Sequence, residues 1–88
     1  MKRFEMLTDR AKQVASKAKE IYGVRLRERL ESSDYGRFVC IEPESGDYYV
    51  GDTIDEAVNQ SIDAHPDRLT HTLRIGFSAA LHLGVFSQ

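Results

Sequence analysis

Residues 36–57 read GRFVCIEPESGDYYVGDTIDEA, and the rest of the chain is placed relative to them. Arg37 to Glu42 reads as a strand. PESG then supplies a proline that presets φ and a glycine that relieves a tight turn before Asp47 to Gly51 runs back. A four-residue loop from Pro43 to Gly46 sets Ile41 opposite Tyr48 and Val39 opposite Val50 on one face, with Cys40 opposite Tyr49 on the other. The first strand is thus apolar on both faces, as a central strand is, whereas the second ends in Gly51-Asp52 and suits an edge. Thr53 followed three residues later by Glu56 has the form of a capping box and starts a helix. Its expected buried stripe is Ile54, Ala57, Val58, Ser61 and Ile62. Pro66 stops it at His65, because a residue before proline is pushed out of the helical region.

Upstream, Phe4, Leu7, Ala11, Val14, Ala18 and Ile21 alternate steps of three and four, the spacing of one helix face. Gly23 interrupts the pattern, after which Tyr22, Leu26 and Leu30 recur every four residues, so the spacing predicts a bend and a rotated stripe. SSDYG ends the helical region through its turn-forming side chains and Gly36. Downstream, Leu69, His71, Leu73 and Ile75 alternate with Thr70, Thr72 and Arg74 as a half-buried third strand. Ala79, Leu81, Leu83 and Val85 alternate likewise as a fourth. A three-residue loop, Gly76 to Ser78, aligns the two apolar rows and gathers Thr70, Thr72, Arg74 and His82 on a polar sheet face.

The expected fold is therefore α+β, in the order α-β-β-α-β-β. A four-stranded, mainly antiparallel sheet is packed by two helices, the first long and amphipathic. The third strand has two possible places, beside the second or beside the first; the apolar first strand favours the latter and a 2-1-3-4 order. One domain spans residues 1–88, with a helical arm at 1–31 and a hairpin-helix-hairpin core at 36–86. A chain of 88 residues buries only about 60 to 65% of its unfolded surface, so a partner would add stability.

The single cysteine, Cys40, forms neither an intramolecular disulfide nor a thiolate metal site, which points to a reducing, cytoplasmic setting. The opening MKRFEMLTDRAKQ carries charge where a signal peptide needs an apolar stretch, and no segment approaches the roughly 18 apolar residues of a membrane span. Residues 1–33 hold nine Lys/Arg against five Asp/Glu, and residues 34–88 hold three against nine. Opposite charge in the two halves suits attraction within a chain or between copies, and leaves a nucleic-acid contact open.

GRFVCIEPESGDYYVGDT, PDRL and RIG, within Tyr22 to Gly84, resemble a family of short uncharacterised bacterial proteins, which implies a bacterial source and no assigned activity. GDTIDEAV, with the hairpin before it, resembles more loosely the hairpin-helix unit of HicB-type antitoxins, which implies a regulator that docks a protein partner. The DNA-binding segment that usually follows in those antitoxins has no counterpart here; the long basic helix precedes the sheet instead.

Few residues have the spacing of a chemical site. His71 and His82 fall on opposite faces in the preferred register, and His65 sits at a helix C-terminus, where the macrodipole favours a cation. A two-residue loop would make His71 and His82 neighbours, but apolar matching disfavours it. Asp47, Asp52, Asp55 and Glu56 are accounted for by capping and dipole compensation, and Cys40 by burial. The expectation is a binding protein with no cofactor and no metal, not an enzyme. Phe4, Leu7, Val14, Phe38 and Cys40 are candidates for a homodimer interface, with a further protein partner encoded nearby. The alternative is a nucleic-acid contact through Arg3, Arg10, Lys12, Lys17 and Lys19 on the first helix.

Overall fold

The computed structural model describes the backbone of residues 2–77 and the side chains of residues 9–77. Helix α1 (Lys2–Ile21) passes through one wide π turn (Tyr22–Leu26) directly into α2 (Arg27–Ser33). The expected rotation of the stripe takes this form. Ile21 and its neighbour Tyr22 are both buried, followed by Leu26 and Leu30, and a wider turn lets a spacing of four stay on one face. The Asp34 N–H bonds to the Leu30 carbonyl at 2.6 Å and ends α2, and Gly36, at φ 88°, releases the chain into the sheet.

Strands β1 (Phe38–Glu42) and β2 (Asp47–Gly51) form the expected hairpin, with Ile41 opposite Tyr48, Val39 opposite Val50 and Cys40 opposite Tyr49. Gly46, at φ 83°, closes its loop, and its N–H reaches the Glu42 carbonyl at 2.8 Å. After α3 (Ile54–Ala64), strand β3 (His71–Arg74) pairs antiparallel with β1, which gives a three-stranded sheet in the order β2-β1-β3. The placement of β3 beside β1 agrees with the sequence, although β3 is shorter than the alternation from Leu69 to Ile75. The expected fourth strand, with His82, lies outside the described residues.

Both faces of the sheet are covered by the chain's own helices. On one face Val39, Ile41 and Leu73 pack with Ala18, Ile21, Tyr22, Leu26, Leu30 and Ile75 from the α1–α2 unit and the end of β3. On the other, α3 lies against β1 and β2, with Ala57 and Ser61 over buried Cys40. The two apolar faces of β1 are thus covered from within the chain, with no second subunit needed to bury them.

The approach of α3 is close because β2 ends in glycine. A Cβ at Gly51 would lie 2.7 Å from the Cβ of Glu56 and 2.8 Å from the Ala57 nitrogen. Such contact admits only small residues, so the expected five-residue stripe is not buried as a whole. Ala57 and Ser61 are covered, Val58 is half-buried, and Ile54 and Ile62 remain 52% and 51% exposed.

Candidate interaction surface

The surface begins with how α3 is held. The Thr53 hydroxyl accepts the Glu56 N–H at 3.1 Å, and the Glu56 carboxylate accepts the Asp52 N–H at 2.8 Å, one residue earlier than a capping box usually reaches. Farther along, Gln60 donates from Nε2 to the Val50 carbonyl at 2.8 Å and ties that flank of the helix to β2. Val58 and Ile62 stand two residues either side of Gln60, about 160° round the helix from it. Ile54, Val58 and Ile62 therefore form an apolar ridge on the flank away from β2, turned toward β3.

The sheet beside that ridge is polar. By register Thr72 lies opposite Cys40 and Arg74 opposite Phe38, on the face α3 covers. Thr72 and Thr70 are half-buried and Arg74 is exposed. Arg74 is pinned: its guanidinium stacks 4.4 Å from the Phe77 ring centre and 5.5 Å from that of Phe38, while Nε donates to the Gly36 carbonyl at 3.0 Å. Thr72 and Arg74 of the expected polar face thus share the face that α3 covers, Thr70 immediately precedes β3, and the fourth member, His82, lies outside the described residues. The outward side of α3 carries Asp55, Glu56 and Asp63 and no Lys or Arg.

On the opposite face, α1 runs past the sheet. Arg10 is level with the hairpin loop, its Nη2 3.9 Å from the Glu44 carboxylate, and the helix begins eight residues earlier, about 12 Å farther out. Among the described side chains its stripe is buried at Ala18 and Ile21; Val14 is half-buried beside Pro43, and Ala11 is exposed. The side chains of Phe4, Leu7 and Arg3 lie outside those described. Lys12 and Lys19 are exposed, and Lys17 stands 3.8 Å from Glu20.

Two expected interface residues belong to the interior or its border. Cys40 is fully buried by its own chain beneath α3, which removes it from any exposed surface, and Phe38 is half-buried under Arg74. The described histidines are dispersed. His65 caps α3 with Nε2 2.9 Å from Asp47, whereas His71 faces the α1–α2 side, where burial and then nearby Lys19 push its pKa below 6.5. Among the described residues no group of three or more His, Cys, Asp or Glu is placed to hold a metal ion.

Two polar anchors escaped the sequence reading. Glu42 is 1% exposed at the end of β1 and accepts the Glu44 and Ser45 N–H groups at 3.0 and 2.9 Å, with Arg68 Nη1 at 3.2 Å. Burial opposes its ionisation, but the hydrogen bonds from Ser45 and Glu44 and the charge of Arg68 outweigh it and hold its pKa below 4.5. Its position before Pro43 was the available signal, since a turn leaves its N–H groups free for a preceding carboxylate. Tyr22 donates to Glu31 at 2.8 Å and accepts the Gly76 N–H at 3.2 Å, a link across 54 positions that no local pattern announces. Both anchors hold the fold together.

Comparison with protein-family models, curated proteins and solved structures returned no match. No helix among the described residues is long and apolar enough to cross a membrane.

Proposed function

We propose that the chain is a protein-interaction module that works as a homodimer and acts by binding rather than by catalysis. The observation that carries this reading is the Ile54–Val58–Ile62 ridge, apolar and half open on a helix whose sheet-facing side is already satisfied. A contiguous apolar strip with a polar rim marks an interaction surface more often than scattered exposed side chains do. Sedimentation or light scattering across a concentration range tests it. A mass near twice 10.0 kDa is expected, and a mass that stays at 10.0 kDa at the highest concentration overturns the dimer.

A finer reading is an antitoxin-like bacterial regulator whose second partner is the product of an adjacent gene. Its support is the hairpin, GDT turn and capped helix of β1, β2 and α3. Co-expression with that neighbour and recovery of a defined complex tests it. The nucleic-acid alternative draws less support, because Asp9 and Glu20 interrupt the basic flank of α1 and the sequence as a whole is acidic, with a pI of about 5.9. A salt-dependent shift on mixed DNA would revive it.

A further inference from the structure

We infer that the projecting end of α1 from one copy seats on the Ile54–Val58–Ile62 ridge of α3 in a second copy, and reciprocally. This rests on the reading that the chain self-associates, and it names the two surfaces that meet. Each chain carries two apolar stripes that its described residues leave partly open. One is on α1, where Ala11 is exposed and Val14 half-buried and the sequence continues the stripe to Leu7 and Phe4; the other is the ridge on α3. The α1–α2 unit and α3 occupy opposite faces of the sheet, so the arm of a chain does not reach its own ridge. A second copy supplies the missing cover for both.

Charge selects the same pairing. From Asp9 to Ile21 the described side chains of α1 include Arg10, Lys12, Lys17 and Lys19 against two acids, Asp9 and Glu20, whereas α3 carries Asp55, Glu56 and Asp63 and no base. Arm on arm would bring like charges together, and so would α3 on α3. The acid that borders the ridge is Asp55, seven residues before Ile62 and so about 20° from it round the helix, and Arg10 and Lys17 likewise share one edge of the α1 stripe. The present partners of Arg10 and Lys17 are exposed carboxylates at 3.9 and 3.8 Å, contacts weak enough to be exchanged. A two-fold axis satisfies both arm-to-ridge contacts at once and closes the assembly.

The test uses the full chain, sedimentation for mass and circular dichroism for folding. Val14→Asp and Ile62→Asp are each expected to weaken the dimer at least tenfold while leaving the helical signal intact. Lys17→Glu and Asp55→Lys are each expected to weaken it several-fold, and the double variant to recover to within about twofold of the parent, the signature of residues that meet. A parent chain monomeric at every concentration removes both the dimer and this pairing. A dimer lost in Val14→Asp but kept in folded Ile62→Asp leaves self-association standing and overturns the seat on α3. If Ile62→Asp lowers the melting temperature without touching the dimer, the ridge is covered within its own chain, which also overturns the pairing. So does failure of the double charge variant to recover.

Discussion

Glu42 shows how one residue can be costly and necessary together. A carboxylate that is 1% exposed loses its hydration, and two loop N–H groups with Arg68 replace it. In Glu42→Gln one accepting oxygen becomes a donating NH2 facing those donors, so a loss of about 1–3 kcal/mol is expected in denaturant unfolding. The pH dependence follows from the direction of the shift. The folded pKa lies below 4.5, so the stabilisation is complete above 4.5 and is lost as pH falls through the folded value. The parent should lose stability in that acid range, and Glu42→Gln should lose less. Ser61 is the opposite case: its hydroxyl is buried under α3 with no hydrogen-bond partner among the described residues. Ser61→Ala removes that unpaired group with little change in volume, and a rise of about 1 kcal/mol is expected in the same measurement. A fall would show that the hydroxyl has a partner.

Among the elements, α3 was legible at its ends and illegible in its orientation. Thr53, Glu56 and Pro66 mark its limits by local chemistry, and the helix runs from Ile54 to Ala64 with the Thr53 cap in place. Thr53→Ala is expected to cost about 0.5–2 kcal/mol in thermal melts without changing the fold. An unchanged melting temperature would show that the Asp52–Glu56 contact suffices alone. Which side of α3 meets the sheet was not readable, because Ile54, Val58 and Ile62 have the same helical periodicity as Ala57 and Ser61. Apolar type alone favoured the larger residues. The close approach at Gly51 favoured the smaller ones, and that approach exists only once β2 and α3 are packed. The first helix presents the same contrast: its stripe predicts a face but not how much of that face the sheet can reach.

At the scale of the whole molecule, His71 joins the two layers, since it stands on β3 and is depressed by burial and by Lys19 of α1. The unfolded chain then binds this proton at a higher pH than the folded one. Its contribution is fully present above 6.5 and is lost as pH falls from 6.5 through the folded value. Denaturation at pH 7.5 and pH 5.5 should show the parent less stable at the lower pH, and His71→Gln should narrow the difference. An equal difference in the variant would assign the effect elsewhere. Sequence alone settled the hairpin register, the limits of α3 and the end of α2, and favoured a central place for β1, because period-two alternation, turn length and caps act between near neighbours. Packing in three dimensions settled that both faces of β1 are covered from within, that Cys40 is enclosed, and that α3 presents its small residues to the sheet and leaves Ile54 and Ile62 on a half-exposed flank. Those outcomes depend on contacts between distant segments, where the reach of α1 and the missing side chain of Gly51 decide among faces that periodicity treats as equal.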